Sequence, residues 1–472
     1  MQDEELEKET RSNTKILNGC DWVKEEFVSS DFEDKRLFLR LLVIANDLSK
    51  IPTAPINQAS GDWKFTKAAY RFFDNDKVTA ESVLRSHVKK TQGRITNHTG
   101  TVLAIQDTTF LNYSHMKCAT DLGPIGKKAL TARGLVMHTV FAVTAEGVPL
   151  GFLHQDIWAR DKKLSGLSKS MRQLKPIEDK ESYKWLKAVR EQSRLLGDNK
   201  HIVAVCDREA DISEFFVQAN QLNLNLLVRA SQDRCLENGE KLWSSFADKE
   251  VNFTYKLQLP NTKNDIATLQ VKYAPVSFAP STHQKKCNRS NAVIRNLTAI
   301  YITELNPPSH REPLTWMLLA NFKVASSKEA LKVIAYYVQR WKIEVLHRIM
   351  KSGCSIELTR LVTNKRRLPF VALKSIIAWR LMLITHYNKI SPNAPASTIL
   401  TQSECTALYI AKHNKVAFNQ NFSAKKAITW IAELGGYLAR KSDPSPGPTH
   451  VWRGWQRLQD LTKMLEILAP NS

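Results

Sequence analysis

The chain's 472 residues exceed what one hydrophobic core organises, so more than one structural unit is expected. An apolar share of 43% argues against an intrinsically disordered chain. The balance of 68 basic to 46 acidic residues leaves a formal charge of +22, which draws polyanions to the surface but fits an ordinary basic protein too. The seven cysteines form no CxxC pair and no zinc-ligand spacing, which points to reduced thiols in a cytoplasmic setting and away from a disulfide framework.

The leader MQDEELEKETRSN is charged and lacks the apolar run of a secretory signal. Phe32 to Lys50 predicts an amphipathic helix, with Phe38, Leu41, Leu42, Ala45 and Leu48 at helical spacing and Lys35, Arg36 and Arg40 on another face. A Pro-rich loop, IPTAP, follows, and a second helix is expected over Asp62 to Phe73, ending in AAYRFF. Arg36, Arg40 and Arg71 are candidates for contacts to phosphates or base edges; a solvated basic face accounts for them equally well. Residues 1–75 are thus expected to form a small, basic helical unit, with DNA binding as one of its two readings.

The middle of the chain changes character. Thr101 to Leu111 (TVLAIQDTTFL), Leu135 to Thr144 and Val148 to Gln155 predict three strands, the last two joined at Glu146-Gly147 as a hairpin. Glu181 to Leu196 has helical periodicity, His201 to Cys206 is a short apolar strand, and Leu224 to Arg229 another. Three antiparallel strands, a helix, a strand, a helix and a strand is the order of a ribonuclease H-like α/β core, a mixed five-stranded sheet with helices. Residues 235–322, with segments such as VNFTYKLQL and IATLQVKYA, read as a β-rich insertion carrying a basic loop at Lys285, Lys286 and Arg289. A long helix is expected from about Ser327 to Lys351, closing a catalytic unit over 76–365. Residues 366–472 read as a helical dimerisation unit, and the apolar run Phe370 to Tyr387, broken by Lys374 and Arg380, predicts a buried or interface helix and no membrane span.

Three carboxylates stand in suggestive settings: Asp107 and Asp207 after strands, and Glu344 on a helix. Phosphodiester cleavage needs an activated water and a stabilised leaving oxygen, and acids converging from separate elements onto divalent cations meet both needs. At ~100° per residue, Tyr337, Arg340, Glu344, Arg348 and Lys351 fall on one helical stripe about 100° wide. By geometry alone this stripe fits a metal-holding carboxylate between phosphate-gripping cations and a helix laced with i,i+4 ion pairs equally well. His154 and His347 read as hydrogen-bonded structural histidines, and GPIGKK at Gly123 to Lys128 lacks the residues of a phosphate loop.

Tyr337-x2-Arg340-x3-Glu344-x6-Lys351 resembles the YREK signature of bacterial insertion-sequence DDE transposases. AIQDTT (Ala104 to Thr109) and VCDREADI (Val205 to Ile212) are similar to that family's first and second catalytic blocks, and AYRFF, PLTWMLL and LGGY extend the likeness along almost the whole chain. The resemblance implies cut-and-paste transposition: metal-dependent cutting of the DNA at transposon ends, hairpin formation, and joining of 3′ ends to target DNA. It implies that Asp107, Asp207 and Glu344 hold two Mg²⁺ ions, with Mn²⁺ able to substitute. It implies that Tyr337, Arg340, Lys351, Arg208 and Arg229 position transposon-end phosphates. Arg348 stands where the family has lysine, which keeps the charge and changes the hydrogen-bond geometry. Trp316 falls where the family stacks a flipped base, although an alternating strand gives it a core role as well. The implied partners are double-stranded DNA, as terminal repeats and target, and a second copy of the chain. A nuclease of the same fold and a non-cutting DNA-binding descendant stand as rival readings.

Overall fold

The computed structural model describes residues 21–28, 32, 34–126, 132–161, 171, 175–197, 201–258, 266–280, 294–309, 312–416 and 421–468. The basic loop at Lys285, Lys286 and Arg289, the lysines of GPIGKK and the acidic leader lie outside them.

Five helices open the fold: α1 (Asp21–Phe27), α2 (Lys35–Lys50), α3 (Ile56–Ser60), α4 (Trp63–Asp74) and α5 (Ala80–Thr96). Both predicted helices form, each starting after an aspartate. Asp34 accepts from the Arg36 amide at 2.9 Å and Asp62 from the Lys64 amide at 2.6 Å. These caps satisfy amides that have no partner inside the helix, which is why α2 starts at Lys35 and not at Phe32.

The sheet follows. Strands β1 (Val102–Asn112), β2 (Gly123–Pro124), β3 (Arg133–Thr144) and β4 (Pro149–Trp158) make an antiparallel array with β3 between β1 and β4. The β3–β4 turn places Gly147 at φ 85°, a left-handed conformation that side chains disfavour, as the Glu146-Gly147 hairpin required. Helix α6 (Tyr183–Leu196) then leads to β5 (Ile202–Cys206), parallel to β1, and α7 (Ser213–Gln221) leads to β6 (Asn225–Arg229), parallel to β5. The resulting order, β4-β3-β1-β5-β6, is the ribonuclease H-like arrangement expected from the sequence.

The expected boundary of that sheet needs correction. It does not stop at five strands, because β10 (Thr315–Ala320) pairs antiparallel with β6, and β9 (Ile294–Leu305), β8 (Ile266–Phe278) and β7 (Phe253–Gln258) continue outward to make ten. A five-stranded core ending at β6 would leave its amides and carbonyls open, and the insertion covers them. The outermost strand, β7, alternates half-buried and exposed residues and so keeps one solvated face.

The expected long helix is also interrupted. It consists of α8 (Ser327–Gln339) and α9 (Trp341–Arg348), joined through Arg340, and ends in a π-turn over Ile349–Gly353. After Leu361 come α10 (Asn364–Ile390), α11 (Gln402–His413), α12 (Ala424–Leu434) and α13 (Pro448–Leu468). By length and hydropathy α10 could cross a membrane, yet most of it lies inside the protein, packed on α4, α5, β4 and α12. The two charges that interrupt its apolar run, Lys374 and Arg380, face specific partners. Lys374 Nζ donates to the carbonyls of Pro52 (2.5 Å) and Ala54 (3.2 Å), and the Arg380 guanidinium lies over the Trp22 ring. The C-terminal tryptophans follow the expected helical-core pattern, with Trp379 and Trp455 buried and Trp430 and Trp452 packed against the core edge.

Candidate active site

Strand pairing brings the two aspartates together. The parallel β1–β5 ladder ends with Gln106 opposite Cys206, so Asp107 and Asp207 are the next residue on each of two adjacent strands. Adjacent strands run about 4.8 Å apart, which puts the two carboxylates side by side. β1 itself continues to Asn112 through its pairing with β3, so Asp107 lies within the strand, while Asp207 leaves β5 and caps a short turn by accepting from the Glu209 amide at 2.9 Å. Helix α9 passes beside this pair and brings Glu344 and His347, the latter with Nδ1 at 3.8 Å from Asp107 Oδ2.

The electrostatics record the crowding. Burial, and then the charge of Asp207, push the Asp107 carboxyl up to about 7; Glu344 pushes the same way and Arg340 opposes. Burial also raises Asp207, with Arg340 and Lys184 opposing. Arg340 is the counter-charge of the whole group, ion-paired to Glu344 and acting on both aspartates. Among the described residues no three Asp, Glu, His or Cys side chains form a ready-made metal cage. Glu344, a third exposed, is turned to Arg340, one turn away on its own helix. The donor set nevertheless suits a hard divalent cation: two carboxylates disfavour each other's charge, and a third stands held by a movable guanidinium.

The predicted stripe is only partly present. The Arg340 amide bonds back to Tyr337 (3.0 Å) and the Ile343 amide to Arg340 (3.2 Å), a tight i,i+3 step, and the Cys354 amide bonds to Ile349 (2.8 Å), a wide i,i+5 step. Uniform rotation of ~100° per residue therefore fails at both ends. Tyr337 and Arg340 stay on the site side, Arg348 is exposed, and Lys351 is half-buried in the π-turn, where burial lowers its ammonium below the usual range. Tyr337 is buried and bonded to Arg229, whose guanidinium also donates to the Thr315 carbonyl at 2.9 Å. Trp316, half-buried on β10, meets the Tyr337 ring edge-on at 5.5 Å, and Arg208 is exposed just past Asp207. Asp107, Asp207, Glu344, Arg340, Tyr337, Arg229 and Trp316 thus belong to one neighbourhood.

The N-terminal candidates lie on separate helices. Arg36 is exposed and forks onto Asp34, Arg40 is half-buried near Asp47, and Arg71 is exposed on α4. Sequence reasoning missed Trp63, 74% exposed at the start of α4 beside Lys64 and Lys67, and Trp341, 51% exposed after Arg340. A helical wheel of α4 carries the first signal, since Trp63, Lys67 and Arg71 fall on the face opposite Phe72 and Phe73. The sequence reads His347 as a hydrogen-bonded structural histidine, and no sequence signal shows that its Nδ1 comes within 3.8 Å of Asp107.

Comparison with known proteins gives matches at both ends of the chain. Residues 19–78 match the family described as transposase DNA-binding, and residues 376–466 match the family described as transposase Tn5 dimerisation domain. Among solved structures, the chain is similar to a piggyBac transposase synaptic complex with hairpin DNA, determined by cryo-electron microscopy, at 10% identity and a TM-score of 0.38. That likeness covers 90% of this chain and 79% of the other, and is too loose to carry an argument. The chain thus carries a transposase DNA-binding module and a Tn5-type transposase dimerisation module, in that order, on either side of a ribonuclease H-like sheet.

Proposed function

We propose that this transposase cuts and joins DNA at a divalent-metal site built from Asp107, Asp207 and Glu344, in a cut-and-paste reaction. The observation that carries the reading is the position of Asp107 and Asp207, each one residue past the last pair of two adjacent parallel strands, beside the helix that presents Glu344. When bound, two Mg²⁺ ions, or Mn²⁺ in their place, supply charge to stabilise the leaving oxygen and lower the pKa of an attacking water. Arg340 is ion-paired to Glu344; were Glu344 to hold a cation, the guanidinium would be free to meet a phosphate. Tyr337 and Arg229, already bonded to each other, offer a hydroxyl and a guanidinium to the backbone next to the scissile bond, with Arg208, Arg348 and Lys351 as outer cations. Water opens one strand at the transposon end, the freed 3′-hydroxyl attacks the opposite strand to give a hairpin, water reopens it, and the same hydroxyl attacks target DNA. Trp316 offers a ring on which a base extruded at the hairpin can stack, offsetting part of the unstacking cost.

Residues 1–75 would grip the terminal repeats through Arg36, Arg40 and Arg71, residues 76–365 would cut, and residues 366–472 would pair two protomers, all in the bacterial cytoplasm. Glu344→Gln tests the centre of this reading. The expected result is unchanged binding to the element's own terminal repeats and a loss of Mg²⁺-dependent cleavage of roughly 10³-fold or more. A Glu344→Gln protein that cuts at the wild-type rate removes Glu344 from the site.

A further inference from the structure

Behind Asp107 lies a polar patch that the cutting reaction does not use. Thr139 is directly opposite Asp107 in the β1–β3 register, and Gln155 is directly opposite Thr139 in the β3–β4 register. Cross-strand partners point to the same face, so Asp107, Thr139 and Gln155 form a row about 5 Å from neighbour to neighbour on the face that α9 and α10 cover. Ser375 of α10 donates to Gln155 Oε1 at 3.2 Å and closes the far end. His347 of α9 closes the near end, with Nδ1 3.8 Å from Asp107 Oδ2. The Thr139 hydroxyl, the Gln155 amide nitrogen and His347 Nε2 are buried without a protein hydrogen-bond partner among the described residues. Buried polar groups cost free energy when they are unpaired, so a row of them leading to one carboxylate needs a reason.

His138 shares the unpartnered buried Nε2 but differs in what its other ring nitrogen meets. His138, on the other face of the sheet, packs edge-on against Trp185 at 4.6 Å and pairs with the Thr108 hydroxyl at 3.0 Å. His347 has its Nδ1 aimed at a site carboxylate instead. The 3.8 Å separation is longer than a hydrogen bond, yet within the sweep of a carboxylate turning about its terminal torsion.

We propose that His347, backed by the Thr139–Gln155–Ser375 row, is a positioning residue: its Nδ1–H donates to one oxygen of Asp107 and so fixes the other toward Asp207 and the cation. This rests on the metal-site reading above. Partners of this kind orient ligating side chains, and their loss weakens metal binding by roughly 10–100-fold.

The test uses the full chain bound to a duplex of its own terminal repeat and reads Mn²⁺ binding by electron paramagnetic resonance, together with the Mn²⁺ concentration giving half-maximal cleavage. His347→Ala is expected to raise both values about 10-fold or more while DNA binding holds. His347→Asn places an amide nitrogen near the lost Nδ1 and is expected to restore most of the affinity. His347→Gln, whose amide reaches the Nε2 position, is expected to restore little. Thr139→Val, nearly the same shape, is expected to weaken Mn²⁺ binding in the same direction even if the histidine variants fold poorly. Wild-type Mn²⁺ binding in His347→Ala, or equal rescue by Gln and Asn, overturns the proposal. Asp107→Asn separates the two levels: unchanged Mn²⁺ binding there defeats the metal-site reading itself, whatever His347 does.

Discussion

Asp107 is held between burial and the charge of Asp207, which together bring its carboxyl up to about 7. From about pH 4 to 7 the folded chain keeps a proton that the unfolded chain has released. Stability therefore falls as pH rises through that window and is flat above it. Asp107→Asn removes the penalty. Without divalent cations the variant is expected to melt above wild type at pH 8, by on the order of 2 kcal/mol, and level with it near pH 4. Adding Mg²⁺ at pH 8 is expected to raise the wild-type melting temperature and leave the variant unmoved. Differential scanning fluorimetry across pH, with chelator and with Mg²⁺, checks both; a variant that melts below wild type at pH 8 contradicts the assigned strain. The residue types at this site were legible in the sequence because Asp107 and Asp207 each end a short apolar run. The electrostatic tie between Glu344 and Arg340 was legible only as one of two equal readings, because an i,i+4 pair looks the same on any exposed helix.

At the scale of elements, two close approaches set the geometry. The α8–α9 junction tightens at Arg340 and widens again at the π-turn, so the helix delivers Glu344 and His347 to the sheet while turning Arg348 outward. A wheel drawn at constant pitch cannot foresee that, since hydrogen-bond slips depend on what the helix packs against. The second approach is the crossing of α12 and α13, where the backbones meet at glycines. A Cβ on Gly454 would stand 1.6 Å from the Ile431 carbonyl oxygen, and one on Gly435 would stand 1.9 Å from that of His450. Backbone cannot move aside as a side chain can, so Gly454→Ala must push the helices apart. The expected cost is about 3 kcal/mol, with a parallel loss of DNA-bound dimer, because the crossing lies inside the dimerisation module. Chemical denaturation and sizing of the DNA complex measure the two effects; a wild-type midpoint for Gly454→Ala would show that the crossing is looser than described.

Across the whole molecule, the N-terminal helices are bolted to α10 and α13. The Trp455 indole donates to the Ser49 carbonyl at 3.0 Å, Lys374 holds the Pro52 and Ala54 carbonyls, and Phe73 meets Phe370 edge-on at 5.7 Å. Glu26 of α1 takes His87 at 2.6 Å and Arg94 at 3.0 Å, fastening α1 to α5. These buried contacts make the DNA-binding helices part of one cooperative body with α10 and α13. Trp455→Phe deletes the indole donor and is expected to cost about 2 kcal/mol. Proteolysis within residues 35–74 and loss of helical circular dichroism should then set in at the same lowered temperature. Two separate transitions would show that the N-terminal helices stand alone.

Local chemistry, written in the order of residues, determined the elements themselves: apolar runs ending in Asp107 and Asp207, aspartates that cap α2 and α4, and the turn at Glu146-Gly147. Each depends on neighbours a few positions away, where periodicity and capping act. Tertiary structure alone decided that the insertion extends the sheet at β6 and that the helical stripe breaks at Arg340. It also decided that His347 faces Asp107. These outcomes depend on pairing and packing between segments distant in the sequence, whose register no local pattern encodes.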